Sequence, residues 1–70
     1  MSKGTLKISL RAARINADLT QKEAAERLGI TAQTYIKWEQ NPSQISALMQ
    51  DRISEIFDMP MDYINFLPKG

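Results

Sequence analysis

The sequence predicts an all-α fold, a compact bundle of about five short helices, and three observations lead there. Apolar residues recur at three- and four-residue spacing in several short segments. Threonine and serine residues suited to capping stand just before those segments, and Gly29, the Asn41-Pro42-Ser43 run and Pro60 break the chain between them. No segment shows a convincing strand alternation. The 70 residues, 43% of them hydrophobic, suffice for one small domain over residues 1–70 with its core in 6–67.

Leu6, Leu10, Ala13 and Ala17 share one helical face and predict a first helix from about Leu6 to Ala17. Thr20-Gln21-Lys22-Glu23 is a capping box: the Thr20 hydroxyl can accept the Glu23 amide while the Glu23 carboxylate reaches back to the Thr20 amide. Ala24, Ala25 and Leu28 form the inner stripe of the second helix. Gly29 ends it, because glycine adopts positive φ without a Cβ penalty. Thr31 is the N-cap of the third helix, in which Tyr35 and Trp38 make the buried pair. Ser46 caps a fourth helix with Met49, Ile53, Ile56 and Phe57 inward, and Pro60 suits the first turn of a short last helix carrying Met61, Ile64 and Phe66.

Residues 20–40 therefore read as a helix, a tight glycine turn and a second helix with a polar outer face, a helix-turn-helix. Ala25 has to be small where the two helices cross, and Leu28, Ile30, Tyr35 and Trp38 fill the angle between them. Nothing points to catalysis: the chain holds no His and no Cys, and its acids are scattered singly. No catalytic residue, metal ligand, cofactor or small-molecule effector is expected. No apolar run approaches a membrane span and no signal peptide is apparent, so a cytoplasmic location away from membranes is expected.

The net charge of +1 hides an asymmetry. Residues 1–40 carry seven Lys/Arg against four acids, whereas residues 41–70 carry Arg52 and Lys69 against Asp51, Glu55, Asp58 and Asp62. The basic front half suits a polyanion, although charges this sparse also suit an ordinary solvated surface.

The segments LTQKEAAERLGIT, KWEQ and FDMPMDYI resemble those of the Cro/cI-type (lambda-repressor-like, XRE-type) helix-turn-helix family, and the similarity extends over roughly residues 6–67. The resemblance implies a small phage or bacterial regulator that binds double-stranded operator DNA as a homodimer, its third helix in the major groove. Carried over position by position, it places base reading at Ala32, Gln33 and Lys37, and backbone contacts at Thr20, Gln21, Thr31 and Gln40; Thr34 and Arg11 join the backbone set. It also pairs Arg14 of the first helix with Glu39 at the end of the third, as a bridge that orients the recognition helix.

The chemistry of the side chains agrees. Gln33, Ile36, Lys37 and Gln40 lie at i, i+3, i+4 and i+7, opposite Tyr35 and Trp38. Glutamine can pair bidentately with adenine, lysine can donate to guanine, and Ala32 or Ile36 can meet a thymine methyl. Outside a helix-turn-helix frame the same Gln and Lys read as solvated surface. Lys3, Lys7 and Arg11 are equally phosphate contacts or solubility charges, and Tyr35 with Trp38 form a core pair or a stacking platform. The connection Asn41–Ile45 lacks the basic residues that relatives place there, which keeps open an interaction module pairing with another regulator, as a modulator, antirepressor or antitoxin does. A symmetric dimer is expected through Met61, Phe66 and Leu67, since the last helix cannot bury every apolar side chain near it.

Overall fold

A computed structural model describes residues 6–67. Four α-helices, α1 (Leu10–Asn16), α2 (Gln21–Leu28), α3 (Ala32–Gln40) and α4 (Ala47–Ile56), follow one another through short turns. Two strands of two residues, β1 (Ile8–Ser9) and β2 (Ile64–Asn65), lie parallel with Ile8 opposite Ile64 and Ser9 opposite Asn65. They join the approach to α1 to the far end of the chain.

Side-chain caps set where each helix begins. The hydroxyls of Ser9, Thr20, Thr31 and Ser46 accept the amides of Ala12, Glu23, Thr34 and Met49. At α2 the box is complete, with the Thr20 amide donating to Glu23 Oε1 at 2.9 Å. The Thr20 amide chiefly, and then the nearby Thr20 hydroxyl, hold the Glu23 carboxyl below its usual range.

Three helices end in one and the same way. Just past α1, α2 and α4 stand Asp18, Gly29 and Asp58, with φ of 63°, 75° and 52°. In each case paired amides turn back onto the last carbonyls: Asp18 to Ile15 and Leu19 to Arg14, Gly29 to Glu26 and Ile30 to Ala25, Asp58 to Glu55 and Met59 to Ser54. This is the Schellman closure, in which one left-handed residue satisfies carbonyls that the helix leaves open. Aspartate tolerates that region better than most side chains, so two of the three closures need no glycine.

The core consists of Leu10, Ala13, Leu19, Ala24, Ala25, Leu28, Tyr35, Ile45, Ile53, Phe57 and Ile64, drawn from every α-helix. Burying each large member contributes roughly 1.5–3 kcal/mol, against about 1 kcal/mol for a cap. Packing therefore holds the helices together, and the caps decide their boundaries. α2 packs chiefly against α3 and also against α4. Ala24 and Ala25 are fully enclosed there, which explains their size. Trp38 is partly buried at the margin of the core, and Tyr35 alone of the expected pair is enclosed.

Two sequence expectations need correction. The first helix starts at Leu10 and not at Leu6, which is 89% exposed, because Ser9 caps the helix and residues 8–9 are extended against β2. The fifth helix is absent among the described residues: Met61–Tyr63 make a single 3-10 turn behind Pro60, and Ile64 continues as strand. Ile64 still enters the core, by way of β2.

A Cβ placed on Gly29 would meet nothing within 4 Å, so the constraint at this turn lies in the backbone alone. Gly29→Val is expected to lower unfolding stability by about 1–3 kcal/mol and Gly29→Ala by less, since branching worsens the left-handed conformation. Denaturant unfolding of both variants checks this; equal stabilities would show that the turn tolerates side chains.

Candidate nucleic-acid interface

The outer surface of the helix-turn-helix is built by the starts of α2 and α3 and by the length of α3. The caps hold those helix starts in register. Thr31 Oγ1 accepts the Thr34 amide at 3.1 Å and lies within hydrogen-bond distance of Thr34 Oγ1 at 2.9 Å. Thr20 engages both its amide and its hydroxyl with Glu23.

Along α3, Gln33, Ile36, Lys37 and Gln40 line one shallow depression, with all four exposed. Ala32, the remaining candidate base reader, is half-buried and packs against the core. A second depression adjoins the first through Ile36 and Gln40 and is completed by Ser9, Arg11, Gln21 and Glu39. Arg11 is exposed there at the start of α1. The structure thus brings Arg11, Gln21, Gln33, Ile36, Lys37 and Gln40 onto adjoining surfaces, and Thr20, Thr31 and Thr34 stand at the helix starts.

Beneath this surface lies a buried polar cluster. Arg14 Nε donates to Glu39 Oε2 at 2.6 Å, and Arg14 Nη1 donates to the Leu19 carbonyl at 2.9 Å. The two side chains are only 10% and 6% exposed. Gln21 Nε2 donates to Glu39 Oε1 at 3.1 Å, a contact that the sequence did not suggest. Nothing in local spacing could have shown it, because Gln21 and Glu39 sit 18 residues apart on different helices. The Gln21 side-chain amide is therefore engaged within the protein.

Burial alone would raise the Glu39 carboxyl, but hydrogen bonds from Arg14 and Gln21, together with the polar Tyr35 hydroxyl nearby and the Arg14 charge, hold it below the usual range. The hydrogen bond to Glu39 correspondingly raises Arg14, outweighing its desolvation. Tyr35 is enclosed beside this pair; burial, and then Glu39, push its hydroxyl far above the ordinary value, and it makes no well-formed hydrogen bond. A carboxylate so neutralised does not present bare negative charge to a polyanion.

A third depression, which shares no lining residue with the first two, is lined by Met61, Phe66 and Leu67 with Lys7, Gln50, Asp62 and Ile64. Leu67 is 65% exposed, whereas Phe66 is partly buried and packs against the core. Among the described residues, no helix is long and apolar enough to cross a membrane, and no group of carboxylates is placed to hold a metal ion.

An exposed polar helix held at a glycine turn against a capped partner defines a helix-turn-helix protein of the DNA-binding kind. Residues 10–64 match the family model described as helix-turn-helix, and the chain belongs to that Cro/C1-type family of DNA-binding transcription regulators. Neither curated proteins nor solved structures give a match to the chain.

Removing one partner of the buried pair leaves the other charge without compensation, so Arg14→Met is expected to cost about 3–5 kcal/mol, well above the roughly 0–1 kcal/mol of a surface pair. The depressed Glu39 carboxyl also makes stability pH-dependent. Its contribution is complete above the ordinary value of 4.5 and is lost as pH falls through the lower folded-state value. Glu39→Gln should therefore be less stable at neutral pH yet lose less stability between about pH 5 and pH 3 than the unaltered protein. Denaturant unfolding across that range checks it; identical acid limbs would show that Glu39 is not the titrating group.

Proposed function

We propose that this protein recognises specific operator sequences by inserting α3 into the major groove, and that it acts as a small repressor or Cro-like regulator of phage or bacterial type. The observation that carries this is the outward stripe of α3, in which Gln33, Lys37 and Gln40 surround Ile36 on an otherwise open surface. An α-helix with its side chains is about 10–12 Å across and fits a major groove about 12 Å wide, and the nine residues of α3 run about 13 Å along it. In this reading Gln33 pairs with adenine and Lys37 donates to guanine. Thr20, Thr31, Thr34, Gln40 and Arg11 meet phosphates, and Gln21 contributes its main-chain amide at the start of α2. Arg14 and Glu39 set the angle at which α3 enters.

One helix of this length reaches about four base pairs, too few for selectivity within a genome. A two-fold homodimer supplies the second reading head one DNA turn away, about 34–36 Å. The depression around Met61, Phe66 and Leu67 supports this arrangement because it leaves the α3 face free. It also carries Lys7 and Asp62, opposite charges that a two-fold axis can set against each other across the contact.

A second reading, a module that acts chiefly by pairing with another regulator, is favoured by one feature: no Lys or Arg occurs between Lys37 and Arg52. Few phosphate contacts follow, and with them weak nonspecific binding. Salt-titrated binding to the promoter region beside the protein's own gene separates the two. Selective binding supports the regulator, and none even at low salt supports the module.

Gln33→Ala is expected to weaken operator binding by about 1–3 kcal/mol and to relax preference at one base position. Equal losses on operator and random duplex would show that Gln33 does not read a base. Leu67→Asp, at an exposed position, should leave the melting temperature nearly unchanged while making operator binding weaker and less cooperative. Unchanged binding would place the dimer contact elsewhere.

A further inference from the structure

We infer that Ile36 reads a C5-methyl group on a pyrimidine in the major groove, so that the methylation state of one base in the operator sets affinity. The inference rests on the major-groove reading of α3 and specifies what that surface recognises. Two apolar side chains at the base-facing end of the helix-turn-helix were candidates for a methyl contact, and the structure separates them. Ala32 packs its methyl group against the core. Ile36 stands outside the core with 36% of its surface exposed, and it alone among the residues lining the α3 depression is apolar.

Its surroundings make it a small apolar centre with a polar rim. Gln33, Lys37 and Gln40 border it on one side, and Ser9, Arg11, Gln21 and Glu39 share the adjoining depression. Exposed isoleucine gains nothing from water, and polar base edges offer it no partner. The apolar group that a base presents in the major groove is the methyl at pyrimidine C5. Thymine carries it always, and 5-methylcytosine carries it at the corresponding position. Both sources offer one chemistry, and Ile36 has no donor or acceptor with which to tell them apart. Gln33 and Lys37, with adenine and guanine as their natural partners, read the bases beside it.

The test works mainly by altering the DNA, so it does not depend on a variant folding. Duplexes that the full chain selects from a random pool are remade with deoxyuridine in place of each thymidine, or with 5-methylcytosine in place of each cytosine. One position per bound protein should respond. Removing a methyl there should weaken binding about fourfold, and adding one to a cytosine at that position should strengthen it by a similar factor, the yield of burying one methyl-sized group. The arm that responds identifies the source. Ile36→Ala, whose melting temperature is measured alongside, should bind methylated and unmethylated duplexes equally.

Selective binding with no methyl-sensitive position overturns the inference and leaves the DNA-reading function intact. Equal sensitivity in Ile36→Ala assigns the contact to another residue and also overturns it. If no duplex is preferred over random DNA, the major-groove reading falls, and the methyl contact falls with it.

Discussion

The Glu39 carboxylate accepts hydrogen bonds from two helices other than its own, Arg14 of α1 and Gln21 of α2, while it sits in the last turn of α3. Arg14 in turn donates to the carbonyl of Leu19, where the chain leaves α1 and turns toward α2. One ionised group thus fixes three helix directions and the link between two of them. Apolar packing could not do this alone. Hydrophobic burial is non-directional, and a core of aliphatic side chains around Ala24 and Ala25 admits small rotations of α3 at little cost. Hydrogen bonds to a carboxylate do not.

Such a cluster does not follow from a search for stability. Replacing a buried ion pair with well-packed apolar residues is often neutral or favourable, and the desolvation of Arg14 and Glu39 offsets much of their attraction. Its advantage lies in orientation, and orientation matters most at the surface above it. Ile36 and Gln40, which line the depression beside Gln21 and Glu39, belong to the same α3 face that carries Gln33 and Lys37. A rotation of α3 would displace all of them together. Neutralisation adds a second effect, because an unpaired carboxylate at the end of α3 would place negative charge beside the face proposed to meet DNA.

The wider charge pattern fits recognition by shape and hydrogen bonding more than by bulk attraction. Nine cationic and eight anionic side chains nearly cancel, and the stretch after α3 holds no Lys or Arg as far as Arg52. A protein of this kind gains little from counterion release and depends on direct contacts. Capped helix starts, a glycine turn with no side chain in the way, and a rigid third helix all serve precision of that sort.

Much of this was legible in the sequence because it is local. The Thr20–Glu23 box, the caps at Thr31 and Ser46, the positive-φ turn at Gly29 and the polar stripe of α3 depend on residues within a turn or two of one another. Spacing and side-chain chemistry are sufficient for such features. The start of α1 was misplaced because Leu6 keeps the helical period, although Ser9 already offered a cap. The final segment was read as helix because Pro60 suits a first turn, yet two residues of strand carry no periodic signal, and the partner Ile8 lies 56 positions upstream. Likewise, family resemblance paired Arg14 with Glu39, but only the packing of α1, α2 and α3 added Gln21 to that carboxylate, turned Ala32 partly into the core and left Ile36 outside. The sequence by itself determined where α2, α3 and α4 begin, where α2 ends at Gly29 and which faces are polar, since those depend on neighbours along the chain. The tertiary structure decided which residues meet across elements and which remain available to DNA, because contacts between distant segments exist only once the core has closed.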